Sequence, residues 1–213
     1  MKYAFFLITF LLISCNDTSP KSSEKSAAKN IMSDTIVPKE QRPMALTRWL
    51  SHYQSNNPTF NEEKFTSTEV SPIAYSESKT IILNEEGFNE IYKPFLIFSK
   101  NGNFYLDIDS YKWEVANDGN ISFEADQEVS LVDYRMKTAR RIAFFGPSYT
   151  VEEAYWKGDS VAVLLGHSYE KVPFMLKFNF KNNTQEYFSA KDTLKFETSY
   201  YETRLKKMGL KLN

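Results

Sequence analysis

Short apolar segments follow one another along the middle of the chain at intervals of about 8–12 residues, and this spacing constrains the fold most strongly. Turn signals separate them, such as Asn-Gly at 101–102 and Asn-Asp-Gly at 117–119, where positive φ is tolerated. Short strands at this spacing are typical of an antiparallel meander, so the sequence predicts a mainly β fold. The ten predicted strands are Phe95–Phe98, Phe104–Leu106, Trp113–Val115, Ile121–Phe123, Val129–Tyr134, Arg141–Phe145, Val151–Trp156, Val161–Leu165, Phe174–Phe180 and Glu186–Phe188.

Amphipathic segments flank this strand-rich region and predict a helix at each end of it. The N-terminal helix, over 43–54, is indicated by four apolar residues at helical spacing: Leu46, Trp49, Leu50 and Tyr53. The C-terminal helix, over about 193–208 with Asp192 as its N-cap, is indicated by a second stripe: Tyr201, Leu205, Met208 and Leu212. We therefore expect α-helices only at the edges of the β fold.

A weak internal repeat bears on how the sheet is arranged. Residues 132–138 match residues 178–184 at an offset of 46, a pattern that resembles the outer hairpin of a β-propeller blade. A closed propeller needs at least four blades, and the strand-rich region is long enough for two. We expect an antiparallel meander sheet of about 8–10 short strands, with a partial propeller and a sandwich as alternatives for its curvature.

The pattern of the N-terminal residues is typical of a targeting segment. Lys2 precedes eleven apolar or small residues at 3–13, which is short of the ~20 residues that a membrane-spanning helix needs. The segment ends in Leu12-Ile13-Ser14-Cys15, which resembles the lipobox of bacterial lipoprotein precursors. The resemblance implies cleavage before Cys15, a diacylglyceryl group on its sulfur and an acyl chain on the new amino terminus. The alternative is an uncleaved signal anchor with an incidental cysteine.

This interpretation divides the chain into three parts. Residues 1–14 are the lipoprotein signal peptide, and 15–43 are the acylated cysteine and a polar, flexible tether. Residues 44–213 are a single β-rich domain. We expect the protein to be anchored in the lipid bilayer of the cell envelope through Cys15, with the outer membrane favoured over the inner one and the leaflet left open.

Composition excludes several classes of function. A formal net charge of −1 argues against a nucleic-acid partner, which normally requires a basic excess. The chain has one cysteine, so it forms no internal disulfide, and with two histidines and no metal-binding motif we expect neither a metal nor a cofactor. Gly-x-Ser-x-Gly and phosphate-loop motifs are absent from the sequence, and we assign no catalytic residue.

Two loops share a motif and predict a binding rim. Gly-x-Ser-Tyr occurs at 146–149 and again at 166–169, each time after a pair of apolar residues. If the strands alternate in direction, these loops lie on one rim of the sheet, where longer loops commonly carry binding residues. The residues expected to converge there are Asp109, Tyr149, His167 and Tyr169. In the alternative interpretation, the glycines relieve strain at strand ends and the tyrosines pack over the sheet edge.

Carboxylates on the strands offer a different chemistry. Asp107 and Asp109 are two residues apart, so both would point to one side of a strand and could share acid and base roles or bind Ca²⁺. A solvated sheet face explains them as well. Glu152 and Glu153 are neighbours on a strand, so we expect them to point to opposite faces and not to act together.

Beyond the lipobox, segments 104–109, 153–161 and 201–209 are similar to small bacterial lipoproteins of unassigned function. The resemblance implies a membrane-anchored cell-envelope lipoprotein with a β-rich domain. Our first hypothesis is a non-catalytic domain that binds an envelope protein or glycan through the rim. The alternative is an envelope hydrolase that uses Asp107, Asp109 or Glu153.

Overall fold

The computed structural model describes residues 42–116 and 118–212, and Cys15 with the rest of the signal and tether lies outside them. The described residues form two α-helices, α1 (Arg42–Gln54) and α2 (Tyr200–Lys207), and two 3₁₀ helices (Glu62–Lys64 and Glu90–Phe95). Their strands are β1 (Phe65–Pro72), β2 (Ser76–Glu77), β3 (Ile97–Phe98), β4 (Phe104–Asp107), β5 (Trp113–Val115), β6 (Ile121–Phe123), β7 (Gln127–Asp133), β8 (Thr138–Phe145), β9 (Tyr149–Lys157), β10 (Val161–Ser168), β11 (Pro173–Asn179) and β12 (Thr184–Ala190). No helix among these residues is long and apolar enough to cross a membrane.

The strands form two five-stranded antiparallel sheets and a separate hairpin. The first sheet has the order β1-β12-β11-β10-β9, and the second has the order β2-β8-β7-β4-β3. Strands β5 and β6 form a separate hairpin, and the Ile121 N–H of β6 also donates to the Lys211 carbonyl at 3.0 Å. The mainly β, antiparallel fold with helices at its edges is therefore confirmed.

Buried side chains from both sheets meet in one core, which makes the fold a β-sandwich. The second sheet and the loop that follows β4 contribute Ile97, Leu106, Ile108, Val129 and Ile142, and the first contributes Val151, Ala154, Trp156, Ala162, Leu164, Phe174, Leu176 and Phe178. Burial of such a large apolar surface between two sheets is the main stabilising contribution. Of the two alternatives for the sheet, the sandwich is the one observed.

The internal repeat marks two equivalent hairpins and not two propeller blades. The β7–β8 turn belongs to the second sheet and the β11–β12 turn to the first. In the first turn Asp133 Oδ1 accepts the backbone N–H groups of Arg135 and Met136, and in the second Asn179 Oδ1 accepts the N–H of Asn182. Lys137 and Asn183 then take the same left-handed conformation, with φ of 51° and 54°. The repeat is therefore a local turn signature.

The helices and the C-terminal segment cover the outer face of the first sheet. A second cluster joins Trp49 and Tyr53 of α1 to Tyr155, Val163 and Leu165 of the strands beneath. The helix α1 begins at Arg42, two residues before the predicted domain boundary.

The C-terminal helix is shorter than predicted and begins later. Its N-cap is Ser199, whose hydroxyl accepts the N–H of Glu202, and not Asp192. The preceding segment has no regular secondary structure, and the side chain of Asn57 bonds both backbone groups of Lys195 there. Leu194 of that segment is buried. A helix that began at 193 would lose the burial of Leu194 and the hydrogen bonds between Asn57 and Lys195.

Candidate binding site

A β-bulge in β9 brings two carboxylates to the same side of the first sheet. Leu165 of β10 pairs with Glu153, and the next residue, Gly166, pairs with Val151, so Glu152 is the extra residue. Both glutamates then face the helices: Glu152 contacts Trp49 of α1, and Glu153 contacts Tyr200 at the start of α2. The expectation that they point to opposite faces was wrong, because the bulge interrupts the strand alternation.

Glu152 is completely buried and accepts hydrogen bonds from three residues. Trp49 Nε1 donates at 2.7 Å, the Tyr53 hydroxyl at 2.6 Å and the Tyr201 backbone N–H at 3.2 Å. Burial raises the pKa of Glu152, but His167 together with the tyrosine and tryptophan donors outweighs it and holds the pKa below its usual range. A charged carboxylate therefore lies between α1, α2 and the sheet.

His167 is the titratable neighbour of this carboxylate. Its Nδ1–H donates to the Ser168 carbonyl at 2.8 Å, and its Nε2 lies 3.5 Å from Glu152 Oε1. Burial lowers the pKa of His167, but the interaction with Glu152 is stronger in sum and raises the pKa. The ring also packs against Phe196, with centroids 5.1 Å apart. His167 and Glu152 thus lie side by side, buried beneath the C-terminal segment.

Asp109 holds α2 in place. Arg204 donates two hydrogen bonds to its carboxylate, from Nη1 at 2.9 Å and from Nη2 at 2.8 Å. Arg204 Nε also donates to the Glu152 carbonyl at 2.9 Å. The Trp113 indole N–H and the Tyr201 hydroxyl also donate to Asp109. Burial opposes the charge on Arg204, but the carboxylates of Asp109 and Glu153 raise its pKa, so it stays protonated.

Asp107 has a structural role in the turn that follows β4. Its Oδ1 accepts the backbone N–H groups of Asp109 and Ser110, and its Oδ2 accepts the Ser110 hydroxyl at 2.5 Å. Burial raises the pKa of Asp107 despite these bonds. Asp107 and Asp109, which were predicted to act as a pair, therefore have separate structural roles: Asp107 stabilises this turn and Asp109 binds Arg204 of α2.

Glu153 lies beside the Glu152 network and faces a cleft. The Tyr200 hydroxyl donates to Glu153 Oε2 at 3.0 Å, the Ala154 N–H donates to Oε1 at 3.1 Å, and Arg48 Nη2 lies 3.7 Å from Oε2. Burial and the charge of Glu153 raise the pKa of Tyr200 to about 12, so its hydroxyl remains a donor. Glu153 is buried, with only 6% of the residue exposed, and these hydrogen bonds hold its carboxylate in place.

The cleft has a volume of about 280 Å³ and opens between the helices and two sheet edges. Strand β9 ends the first sheet and β3 ends the second, and the Trp156 indole N–H joins them by donating to the Ile97 carbonyl at 2.8 Å. The cleft has an apolar lining of Ala45, Pro94, Phe95, Leu96, Ile97, Ala154 and Met208. Its polar lining is Arg48, Glu153, Tyr200, Arg204 and Lys207.

The predicted rim is brought together only in part. Tyr149 pairs with Ser168, and the Tyr169 N–H donates to the Ser148 carbonyl at 2.7 Å, so both tyrosines lie at the same end of the first sheet. Their exposed fractions are 40% and 81%. The Tyr149 ring packs toward the sandwich core, whereas the His167 ring lies on the helix-covered face.

Asp109 is not part of an exposed rim, because it is 1% exposed and Arg204 holds it against α2. Within residues 42–116 and 118–212 there is no cluster of three or more His, Cys, Asp or Glu side chains that could hold a metal ion.

The fold and the site define a class of protein: an antiparallel β-sandwich with two helices on one face and a charged cleft between the helices and the sheet edges. Comparisons with protein-family models, with curated proteins and with solved structures found no match.

Proposed function

We propose that this chain is a membrane-anchored cell-envelope lipoprotein whose β-sandwich is a non-catalytic binding module. The observation that supports binding is the cleft, because two of its charged side chains, Arg204 and Glu153, are held in position by other residues of the fold. Arg204 is held by Asp109 and by the Glu152 carbonyl, and Glu153 is held by the Tyr200 hydroxyl. Preorganised groups in a concave site bind a ligand without losing further side-chain entropy.

The anchor is proposed from the sequence. The lone cysteine of the chain stands at the position where the lipobox pattern of residues 12–15 requires it. Several acyl chains, each contributing ~0.8 kcal/mol per buried CH₂, anchor a protein stably where a single chain is marginal. Cys15 would thus be the attachment point to the bilayer.

The hydrolase alternative has less support from the geometry. It needs a carboxylate free to exchange a proton with substrate, within hydrogen-bond reach of the reacting group. Asp107 closes a turn, Asp109 holds α2, and Glu153 is tied to Tyr200 and its own strand. These carboxylates are engaged in the fold, which favours a binding role for the site.

The exposed rings of Tyr149 and Tyr169 support a second binding surface, for an envelope protein or glycan. Flat aromatic rings supply contact area at a low entropic cost. Replacing both tyrosines with Ala should abolish capture of that partner from intact envelopes while the far-ultraviolet circular dichroism stays the same. Unchanged capture by the double variant would exclude this surface.

Membrane fractionation tests the anchor. A Cys15→Ser chain is joined to a signal peptide that is cleaved directly before position 15, so that no apolar leader remains. We expect the wild-type chain in the membrane pellet after a high-salt wash and the variant in the soluble fraction. The matched control is Ser19→Ala in the tether, which should stay in the pellet. Retention of the Cys15→Ser chain on the membrane would refute the proposed anchor.

A further inference from the structure

The cleft between α1, α2 and the edges of β3 and β9 combines an apolar wall with an excess of positive charge. We propose that it binds a small amphipathic anion: an organic carboxylate whose apolar tail lies against the wall and whose head group lies at the cationic mouth. This inference rests on the proposed role of the sandwich as a binding module and names the class of its ligand.

The apolar wall is suited to a short hydrocarbon tail. Ile97 and Ala154 lie on the edge strands β3 and β9, and Phe95 at the end of a 3₁₀ helix, Ala45 of α1 and Met208 after α2 flank them. Met208 is 48% exposed, so a tail lying against it would remove apolar surface from water. The volume of about 280 Å³ is near the lower end for ligand pockets, ~300–1,000 Å³, which favours a small ligand.

The charges at the mouth favour an anionic head group. The lining contains three cations, Arg48, Arg204 and Lys207, and one carboxylate, Glu153. Asp109, behind the wall, neutralises Arg204 through its bidentate pair. One positive charge is therefore in excess, and the exposed side chains of Arg48 and Lys207 carry it to the opening.

A cationic ligand is disfavoured although Glu153 is present. Both carboxylate oxygens of Glu153 already accept a hydrogen bond, one from the Tyr200 hydroxyl and one from the Ala154 N–H. The guanidinium of Arg48 lies 3.7 Å away and would repel an incoming ammonium group. The buried carboxylate thus fixes the position of Tyr200 and Arg48 more than it attracts a ligand.

Calorimetric titration with three probes of equal chain length tests the charge preference. The mature chain with Cys15→Ser is used, because it lacks the acyl chains that could occupy the cleft or form micelles. We expect saturable one-to-one binding of octanoate and much weaker binding of octanol and octylamine. Absence of saturable octanoate binding up to millimolar concentration, or equal binding of octylamine, would overturn the inference.

A pair of adjacent lysines locates the site. Lys207 lines the cleft, whereas Lys206 does not, and both are exposed near the end of α2. Lys207→Glu replaces an attraction at the mouth by a repulsion, so the affinity for octanoate should fall about tenfold, which corresponds to about 1.4 kcal/mol. Lys206→Glu should change it by less than about twofold. Equal loss in both variants would show that the anion does not bind in the cleft.

These outcomes are separable from the anchoring proposal. Both lysines lie in the last turn of α2, so the two variants should unfold at the same temperature as each other, and a difference in affinity between them reports on the site. If octanoate does not bind but the fractionation result holds, the ligand class is wrong and the anchored binding module stands. If octanoate binds but Cys15→Ser stays on the membrane, the ligand class stands and the anchor is wrong.

Discussion

Glu152 is the residue at which α1, α2 and the first sheet meet. Its charge is stabilised by three donors, two on α1 and one on α2, and a neutral amide at this position would direct an N–H₂ group at some of those donors. We predict that Glu152→Gln lowers the free energy of unfolding by about 2–4 kcal/mol. Urea denaturation measures this loss, and Glu69→Gln on the exposed strand β1 should change it by less than about 0.5 kcal/mol. A loss no larger than that of the control would contradict the role assigned to Glu152.

His167 makes the stability of the fold depend on pH. Burial alone would lower its pKa, but Glu152 raises it, so the protonated ring contributes stability fully below the ordinary pKa of about 6.5. That contribution is lost as the pH rises through the raised pKa. The stability gap between the wild-type chain and His167→Gln should therefore be largest near pH 6 and shrink toward pH 9.

Urea denaturation of both chains between pH 5.5 and 9 measures this gap. In the Glu152→Gln background the gap should vary much less with pH, because the carboxylate that raises the pKa of His167 is gone. A gap that widens at high pH would contradict the ion pair.

Single residues were the least predictable level of the structure. Sequence patterns singled out Asp109 and His167 as polar residues near strand ends, but not their partners. Arg204 lies 95 positions from Asp109, and no local period links the two. Glu152 and Glu153 stood out as adjacent acids in an apolar segment, yet their common face depends on a bulge that sequence spacing does not reveal.

At the scale of the elements, the two Gly-x-Ser-Tyr motifs differ in how closely other atoms approach their glycine. A Cβ at Gly166 would lie 2.1 Å from the Thr150 carbonyl oxygen and 2.8 Å from the Phe174 ring. A Cβ at Gly146 would meet its nearest atom, on Asp126, at 3.9 Å. Packing therefore requires glycine at Gly166 but not at Gly146, although the two motifs share the same sequence pattern.

Alanine substitution tests this difference. Gly166→Ala forces β9, β10 or the Phe174 ring to move, and we predict a loss of about 3 kcal/mol in the free energy of unfolding. Gly146→Ala is the matched control and should be nearly neutral. Thermal or urea unfolding compares them, and equal effects would contradict the packing described for β9 and β10.

The elements themselves were predictable where the pattern is local. Hairpins with Asn-Gly or Asx turns, such as β3–β4 and β7–β8, fall where the turn residues place them. Strand β1 is not among the predicted strands, because its residues are mostly exposed and show no apolar alternation. It is an edge strand that pairs only with β12 in the first sheet, more than a hundred residues away.

At the scale of the whole molecule, the mainly β class followed from strand spacing, but the two-sheet arrangement did not. The sandwich is set by which strands pair across long separations, as β1 does with β12 and β2 with β8. The cleft is a product of that arrangement, because it forms where the edges of the two sheets meet beneath α1 and α2. Local periodicity in the sequence does not reveal that β3 and β9 are the edge strands of their sheets.

The proposed lipoprotein is a preorganised binding module tethered to the envelope through Cys15. The most direct test of that central claim is the intact mass of the chain extracted from cell envelopes with detergent. We predict a chain that begins at Cys15 and carries the additional mass of a diacylglyceryl group and one amide-linked acyl chain. A chain that retains residues 1–14, or one that begins at Cys15 without added lipid mass, would contradict it.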